Sequence, residues 1–194
     1  ELCNYTLNKD FKNINAQNAQ VILVERAPKI LASFKPELSE SARKQTKALG
    51  VNVMLNQQIS NISNEGVLLG DKTFLSSNTV IWTAGVKTVS LINKLSVSKD
   101  NAGRVFVTEN CSIPKFPEAF VIGDAAHFKN HEGKPLPGVS PVAMQQGRFV
   151  AHNIIKKIKG KEKKPFFVYK DKGSMATIGR KAAVADLNLF TLSG

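Results

Sequence analysis

An α/β fold, with a central parallel sheet flanked by helices, is what this sequence predicts, and three apolar runs predict it. Ala19-Gln-Val-Ile-Leu-Val-Glu25, Thr79-Val-Ile-Trp-Thr-Ala-Gly85 and Ala119-Phe-Val-Ile-Gly-Asp124 are short, rich in β-branched residues and stopped by glycine or an acid. Strands covered on both faces read as continuous apolar runs, and such strands belong to parallel sheets.

The first run predicts a strand ending at Glu25. Leu38 to Leu49 has an amphipathic pattern, with Ser39 as a candidate cap and Gly50 as a terminator, and it predicts a helix. Val51 to Leu55 predicts the next strand. From Ile59 to Leu75, alternating segments broken at Asn64-Glu-Gly66 and Gly70-Asp-Lys72 predict a small antiparallel meander. The second run then predicts a buried strand whose Thr-Ala-Gly end allows close backbone approach. Val89 to Leu95 predicts a short helix, and Gly103 to Val107 another strand. A Pro-containing connection from Cys111 to Pro117 leads into the third run, which continues toward a helix. A polar loop, Lys129 to Lys134, and Pro135 to Pro141 precede a long helix, Val142 to Lys159. Ser140 is its candidate N-cap and Pro141 suits its first turn. Val142, Phe149, Val150, Ile154 and Ile158 recur near helical spacing and predict its core face.

With 194 residues, 42% hydrophobic and 22% charged, the chain can bury a core as one large domain or two small ones. Its apolar runs are too short to span a bilayer, and its first residues do not read as a signal peptide. Cys3 and Cys111 stand far apart with no Cys-x-x-Cys pair, which argues for a reducing compartment and against a dithiol centre or zinc knuckle. The net charge of +12 favours an anionic partner. It is densest at Lys156-Lys-Ile-Lys-Gly-Lys-Glu-Lys-Lys164. Those lysines solvate a helix end and favour its dipole, or they meet acidic lipid. Without interleaved aromatics or arginines the run does not suggest nucleic acid.

Two acids carry the chemistry. Asp124, after a glycine at a strand end, can accept hydrogen bonds from sugar-like hydroxyls, or it can cap the following helix. Glu25, at the end of an early strand, is placed to bond adenosine ribose hydroxyls and to disfavour the extra phosphate of NADP, or it is simply solvated. The phosphate loop that accompanies such an acid belongs some twenty residues upstream, which here falls before residue 1. The long helix begins near the Gly-Asp site, so its N-terminus can stabilise an electron-rich ring or carbonyl. Gln145 and Gln146 lie in its first turns, where an exposed polar face is the plain alternative. His127 and His131 sit four apart near Asp124, but nothing completes a ligand set, so no metal is expected.

Taken in order, Val-Ile-Leu-Val-Glu25, Val-Ile-Trp-Thr-Ala-Gly-Val86, Val-Ile-Gly-Asp-Ala125, Pro-Val-Ala-Met-Gln-Gln-Gly147 and Lys-Gly-Ser-Met-Ala-Thr-Ile-Gly-Arg180 resemble the type II NADH:quinone oxidoreductases. These are the single-subunit alternative NADH dehydrogenases. The resemblance implies parts of two Rossmann-like dinucleotide-binding domains, residues 1–100 on the NADH side and 101–194 as the returning half of an FAD domain with its quinone-site helix. It implies FAD and NADH as cofactors, with Asp124 on the ribitol chain and Gly123 and Ala125 lining the flavin pocket. Glu25, Ala84 and Gly85 would serve NADH, Val142 and Ala143 would sit near the flavin ring, and Gln145 and Gln146 would face quinone. Many relatives carry an Ala-Gln pair where this chain has Ser140-Pro141, so the resemblance implies that one of the family's quinone-site glutamines is absent here.

No catalytic side chain is implied, because the cofactor carries the hydride. The resemblance further implies a peripheral protein on the cytoplasmic face of a bacterial inner membrane, or on the mitochondrial inner membrane. Its partners would be quinone, an anionic membrane surface and a second copy in a homodimer, without proton pumping. The family's two Gly-rich phosphate loops and its C-terminal anchor are not found in these residues, so the chain reads as a piece of a longer protein that does not hold FAD tightly by itself. Another NADH-dependent flavoprotein reductase shares the Glu25 and Gly-Asp features, and a non-catalytic basic adaptor shares the charge.

Overall fold

The computed structural model describes residues 7–10, 13, 19–161, 165–187 and 191–194. Cys3, and Lys163 and Lys164 of the basic run, lie outside the described residues. The chain forms two compact units, one of Glu1–Trp82 with Lys172–Gly194, the other of Thr83–Asp171.

In the first unit, α1 (Leu7–Asp10) precedes β1 (Val21–Val24), α2 (Pro36–Ala48) and β2 (Val51–Met54). The two strands run parallel, with Val21 opposite Val51 and Val24 opposite Met54, so β1, α2 and β2 form a βαβ unit. The ladder continues past β1, where the Glu25 N–H donates to the Met54 carbonyl at 2.9 Å. Helix α2 starts at Pro36, with Lys35 in the N-cap position. Proline is preorganised for the first helical turn and its missing N–H would be unsatisfied there anyway. Ser39, expected as the cap, is instead a buried helical residue whose hydroxyl donates to the Ile30 carbonyl at 2.5 Å. Gly50 follows the helix end with φ +83.

Strands β3 (Ile59–Ser63), β4 (Gly66–Leu69) and β5 (Phe74–Ser76) make the expected antiparallel meander. The expected strand from Thr79 to Gly85 does not form: Ile81 is 75% exposed and Trp82 59%. A parallel strand exists only where a neighbour supplies its ladder, and among the described residues no strand pairs with this one. The unit closes with β10 (Ser174–Ile178), β11 (Ala182–Asp186) and β12 (Thr191–Ser193), an antiparallel sheet that packs on α2. Ile30, Leu38, Ala42 and Val184 form the shared core.

The second unit contains α3 (Ser90–Asn93), β6 (Val105–Phe106), the hairpin β7 (Ser112–Ile113) and β8 (Phe116–Phe120), β9 (Ala126–His127) and α4 (Ser140–Ile158). The run expected as one strand, Ala119 to Asp124, is divided. Its first part ends the antiparallel β8, the chain turns through a 3-10 turn at Gly123–Ala125, and β9 then pairs parallel to β6. Val139, rather than Ser140, is the N-cap of α4, and Pro141 lies in the first turn as expected. The buried stripe of α4 is Val142, Gln146, Val150 and Asn153. Ile154 and Ile158, expected on the core face, are 39% and 79% exposed. Each step of four residues drifts roughly 40° around a helix, so the row from Val150 leaves the buried side.

The unit boundaries fall elsewhere than the sequence division at residue 100, because the terminal sheet inserts the fully buried Val184 into the α2 core. Val184→Ala deletes two methyl groups there and is expected to lower unfolding stability by about 2–3 kcal/mol. An unchanged urea midpoint would show that this sheet is not part of that core.

Candidate functional site

The centre of the site is the turn at Gly123. Extended Ile122, with φ −135, delivers the chain into Gly123 at φ +63, a conformation that glycine adopts without strain. A Cβ at Gly123 would stand 3.0 Å from the Ala143 Cβ, so the backbone lies directly against the first turn of α4. A Cβ at Gly138 would stand 3.2 Å from Asp124 Oδ1, so a second backbone approaches the carboxylate. Asp124 is exposed, lies inside the turn rather than at its N-cap, Ile122, and makes no cap hydrogen bond there. Ala125 packs against the core of Ile92, Val105, Ile113, Val121 and Ala126. Ala143 is half-buried against Gly123, whereas Val142 is only 3% exposed and serves the interior.

The two glutamines take different places from each other. Gln146 is 1% exposed, neither on a polar face nor open to a substrate. Its Oε1 accepts the Gly123 N–H at 2.7 Å, and its buried Nε2 has no hydrogen-bond partner. Gln145 holds the backbone of Lys170 from both sides: Nε2 donates to the carbonyl and Oε1 accepts the N–H, each at 3.0 Å. Beside Gln145 runs a groove of about 600 Å³ lined by Phe149, His152, Phe166, Phe167 and Lys170.

A cluster around Asp100 was not foreseen from the sequence. Its Oδ1 accepts the N–H groups of Ala102 and Arg104, both at 2.9 Å. Its Oδ2 accepts from Arg104 Nε at 2.7 Å and from His127 Nδ1 at 2.8 Å. His127, in β9, packs its ring 4.6 Å from that of Phe106, its ladder partner in β6. Its Nε2 is buried without a partner. Burial pushes the Asp100 carboxyl up, but hydrogen bonds from His127 and from the backbone and guanidinium of Arg104 outweigh it and hold it well below the usual carboxylate range. The only sequence signal was the turn-forming Asp100-Asn-Ala-Gly103, which does not say which side chain it will meet. His131 packs instead on Phe166, ring centroids 5.8 Å apart, so the two histidines face different neighbours.

In the first unit, Glu25 sits just past β1 and its Oε1 accepts the Ala27 N–H at 2.8 Å, a local turn. Ala84 and Gly85 belong to the second unit, are exposed, and Gly85 has φ +86 with open space around its Cα. Cys111 is fully buried, and burial pushes its thiol up to about 12, which makes it inert as a nucleophile at neutral pH.

Comparison with known proteins gives a consistent result. Residues 10–147 match the family model described as pyridine nucleotide-disulphide oxidoreductase. The chain is 34% identical over 205 aligned positions to a type II NADH:quinone oxidoreductase of Mycobacterium tuberculosis, with 100% of this chain and 43% of that protein covered. It is 32% identical over 170 positions to a type II NADH:quinone oxidoreductase of Staphylococcus aureus, covering 86% of this chain and 42% of that one. The chain thus spans less than half the length of these relatives. The solved structure of NDH2 from Plasmodium falciparum in complex with NADH superposes with a TM-score of 0.85 at 18% identity, over 99% of this chain and 54% of that one, a likeness of fold.

The Asp100 cluster has a pH signature. A carboxyl held low in the folded chain contributes stability that is complete above its unfolded value, near 3.9, and is lost as pH falls below that toward the folded value. Asp100→Asn is expected to cost roughly 1–3 kcal/mol at pH 7 and to flatten the decline between about pH 5 and pH 2. Urea midpoints at several pH values check both; a parallel decline in the variant would mean that other carboxylates set the acid limit.

Proposed function

The chain belongs to the pyridine nucleotide-disulphide oxidoreductase family, and on that premise we propose that it is part of an FAD-dependent enzyme passing electrons from NADH to a membrane quinone. The Gly123–Asp124 turn carries the reading. A glycine packed against a helix start, a second glycine against the carboxylate, and an exposed acceptor between them fit the ribitol and phosphate groups of a dinucleotide. Identity of 34% along the full chain to a type II NADH:quinone oxidoreductase supports the same choice of substrates.

Residues 101–194 would supply the returning half of the FAD domain, with Gly123, Asp124, Ala125 and Ala143 around the cofactor and Val142 supporting them from the core. Residues 1–100 would serve NADH. There Glu25 would accept the ribose hydroxyls with the oxygen not engaged by Ala27. FAD, when bound, supplies the acceptance of hydride and the delivery of electrons to quinone. Gln145 is the proposed quinone contact, because it lines an aromatic groove suited to a planar ring. The exposed lysines Lys157, Lys159 and Lys161 would meet an anionic membrane surface on the cytoplasmic or mitochondrial inner membrane, with a second copy as a further partner. No helix among the described residues is long and apolar enough to cross a membrane.

The experiment is a spectrum of the full-length protein. Flavin absorbance that bleaches with NADH and returns with a quinone analogue supports the reading; no flavin after reconstitution with FAD sinks it. Asp124→Ala is expected to weaken FAD binding by about 10- to 150-fold, the effect of a lost charge-assisted hydrogen bond, measured by flavin fluorescence. Glu25→Ala removes a charge that repels the extra phosphate and is expected to raise the NADPH to NADH preference roughly tenfold in kcat/KM.

A further inference from the structure

We propose that Gln146 is a positioning residue for the Gly123–Asp124 turn and not a contact for quinone. The inference rests on the FAD reading above and concerns how this chain shapes the turn that would hold it. Gln146 reaches across from α4 and takes the Gly123 N–H at 2.7 Å, while its side chain is 1% exposed. The amide has one orientation that works. Exchanging its ends would set Nε2 against the Gly123 N–H, two donors face to face.

The bond has a cost that shows what it is for. With Oε1 on Gly123, the buried Nε2 has no partner. An apolar side chain of the same length would remove that orphan donor but would leave the Gly123 N–H unpaired instead, at a point where the backbone already holds φ +63. The oxygen of Gln146 therefore fixes the one peptide on which the direction of Asp124 depends. With its N–H turned inward to Gln146, Gly123 offers a ligand only its bare Cα, and the adjacent carboxylate is the group that faces out. A residue so enclosed has no surface with which to touch a quinone.

The test uses the full-length protein and two variants, Gln146→Met, which loses the oxygen, and Gln146→Glu, which keeps one at the same reach. Amide hydrogen exchange at Gly123 is read without cofactor, FAD affinity by flavin fluorescence, and quinone KM at saturating FAD. Expected for Gln146→Met are faster exchange at Gly123, FAD binding weaker by roughly 5- to 150-fold, and an unchanged quinone KM. Gln146→Glu is expected to stay closer to the parent protein in exchange and FAD affinity. Unchanged exchange and FAD affinity in Gln146→Met would overturn the proposal. So would a raised quinone KM with FAD affinity intact in either variant. Should Gln146→Met fail to fold, Gln146→Glu decides: protected Gly123 with normal quinone KM supports the proposal, and loss of that protection overturns it. A parent protein that takes up no FAD defeats the functional reading by itself, and the exchange comparison still decides whether Gln146 holds the turn.

Discussion

The close approach of Gly123 to the start of α4 constrains everything around it. A methyl group on that Cα would come within 3.0 Å of Ala143, so the turn and the helix can meet only because one residue has no side chain and the other has a single carbon. That contact sets where the chain leaves β8 and enters β9, and so where Asp124 stands. The same peptide is fixed by Gln146, and the path of the loop on the far side is fixed by Gly138 against the carboxylate. Three small residues and one amide thus define a place in the second unit where an exposed acid lies among closely packed backbone. Bulk at any of the three would displace the acid before it changed the charge.

A turn held this closely needs a rigid frame, and its strands cannot provide one alone. The β6 and β9 pair is two residues long in each strand, too short to stabilise itself by ladder bonds. Asp100 compensates by collecting two backbone N–H groups, the Arg104 guanidinium and the His127 ring. Because Arg104 precedes β6 and His127 lies in β9, one carboxylate ties both strands to the preceding turn. The tie is largely sheltered, with side-chain exposures of 13% for Asp100 and 12% for His127. Paired charge in that setting is worth more than on the surface, but removal of Asp100 takes the shared acceptor from Arg104 and His127 at once.

Local signals were legible where local physics decides the structure. The βαβ unit, the meander with its turn glycine at Gly66 and the long helix with Pro141 in its first turn all followed from short-range rules. The close backbone approach at the Gly-Asp pair was legible because glycine before an acid is meaningful wherever the backbone must come close. Failures arose where a distant partner decides. Thr79 to Gly85 has every property of a buried strand, yet a strand needs a ladder, and its composition cannot report who supplies it. Ala119 to Asp124 was expected as one parallel strand because periodicity does not mark the direction of pairing; the hairpin at Pro114-Lys115 takes its first half into an antiparallel partner. Ser39 and Ser140 were expected as caps by residue type, but a proline near each helix start fixes where helical dihedrals begin.

Gln145 and Gln146 show the same limit at the scale of a single turn. They are adjacent in sequence and identical in chemistry, and a 100° step around α4 separates their roles. Gln145 points toward the returning segment and ties the Lys170 backbone, which anchors one wall of the aromatic groove. Gln146 points inward and ties Gly123. Asn153, two turns further along the inward stripe, is buried as well, so the side of α4 that meets its own unit carries two amides among its valines. An all-apolar stripe would let the helix slide or rotate against the core with little change in energy, since hydrophobic contact is not directional. An amide that must meet one particular N–H permits a single register. The polar residues in this helix therefore set where it sits, and the apolar ones set how firmly it is held there.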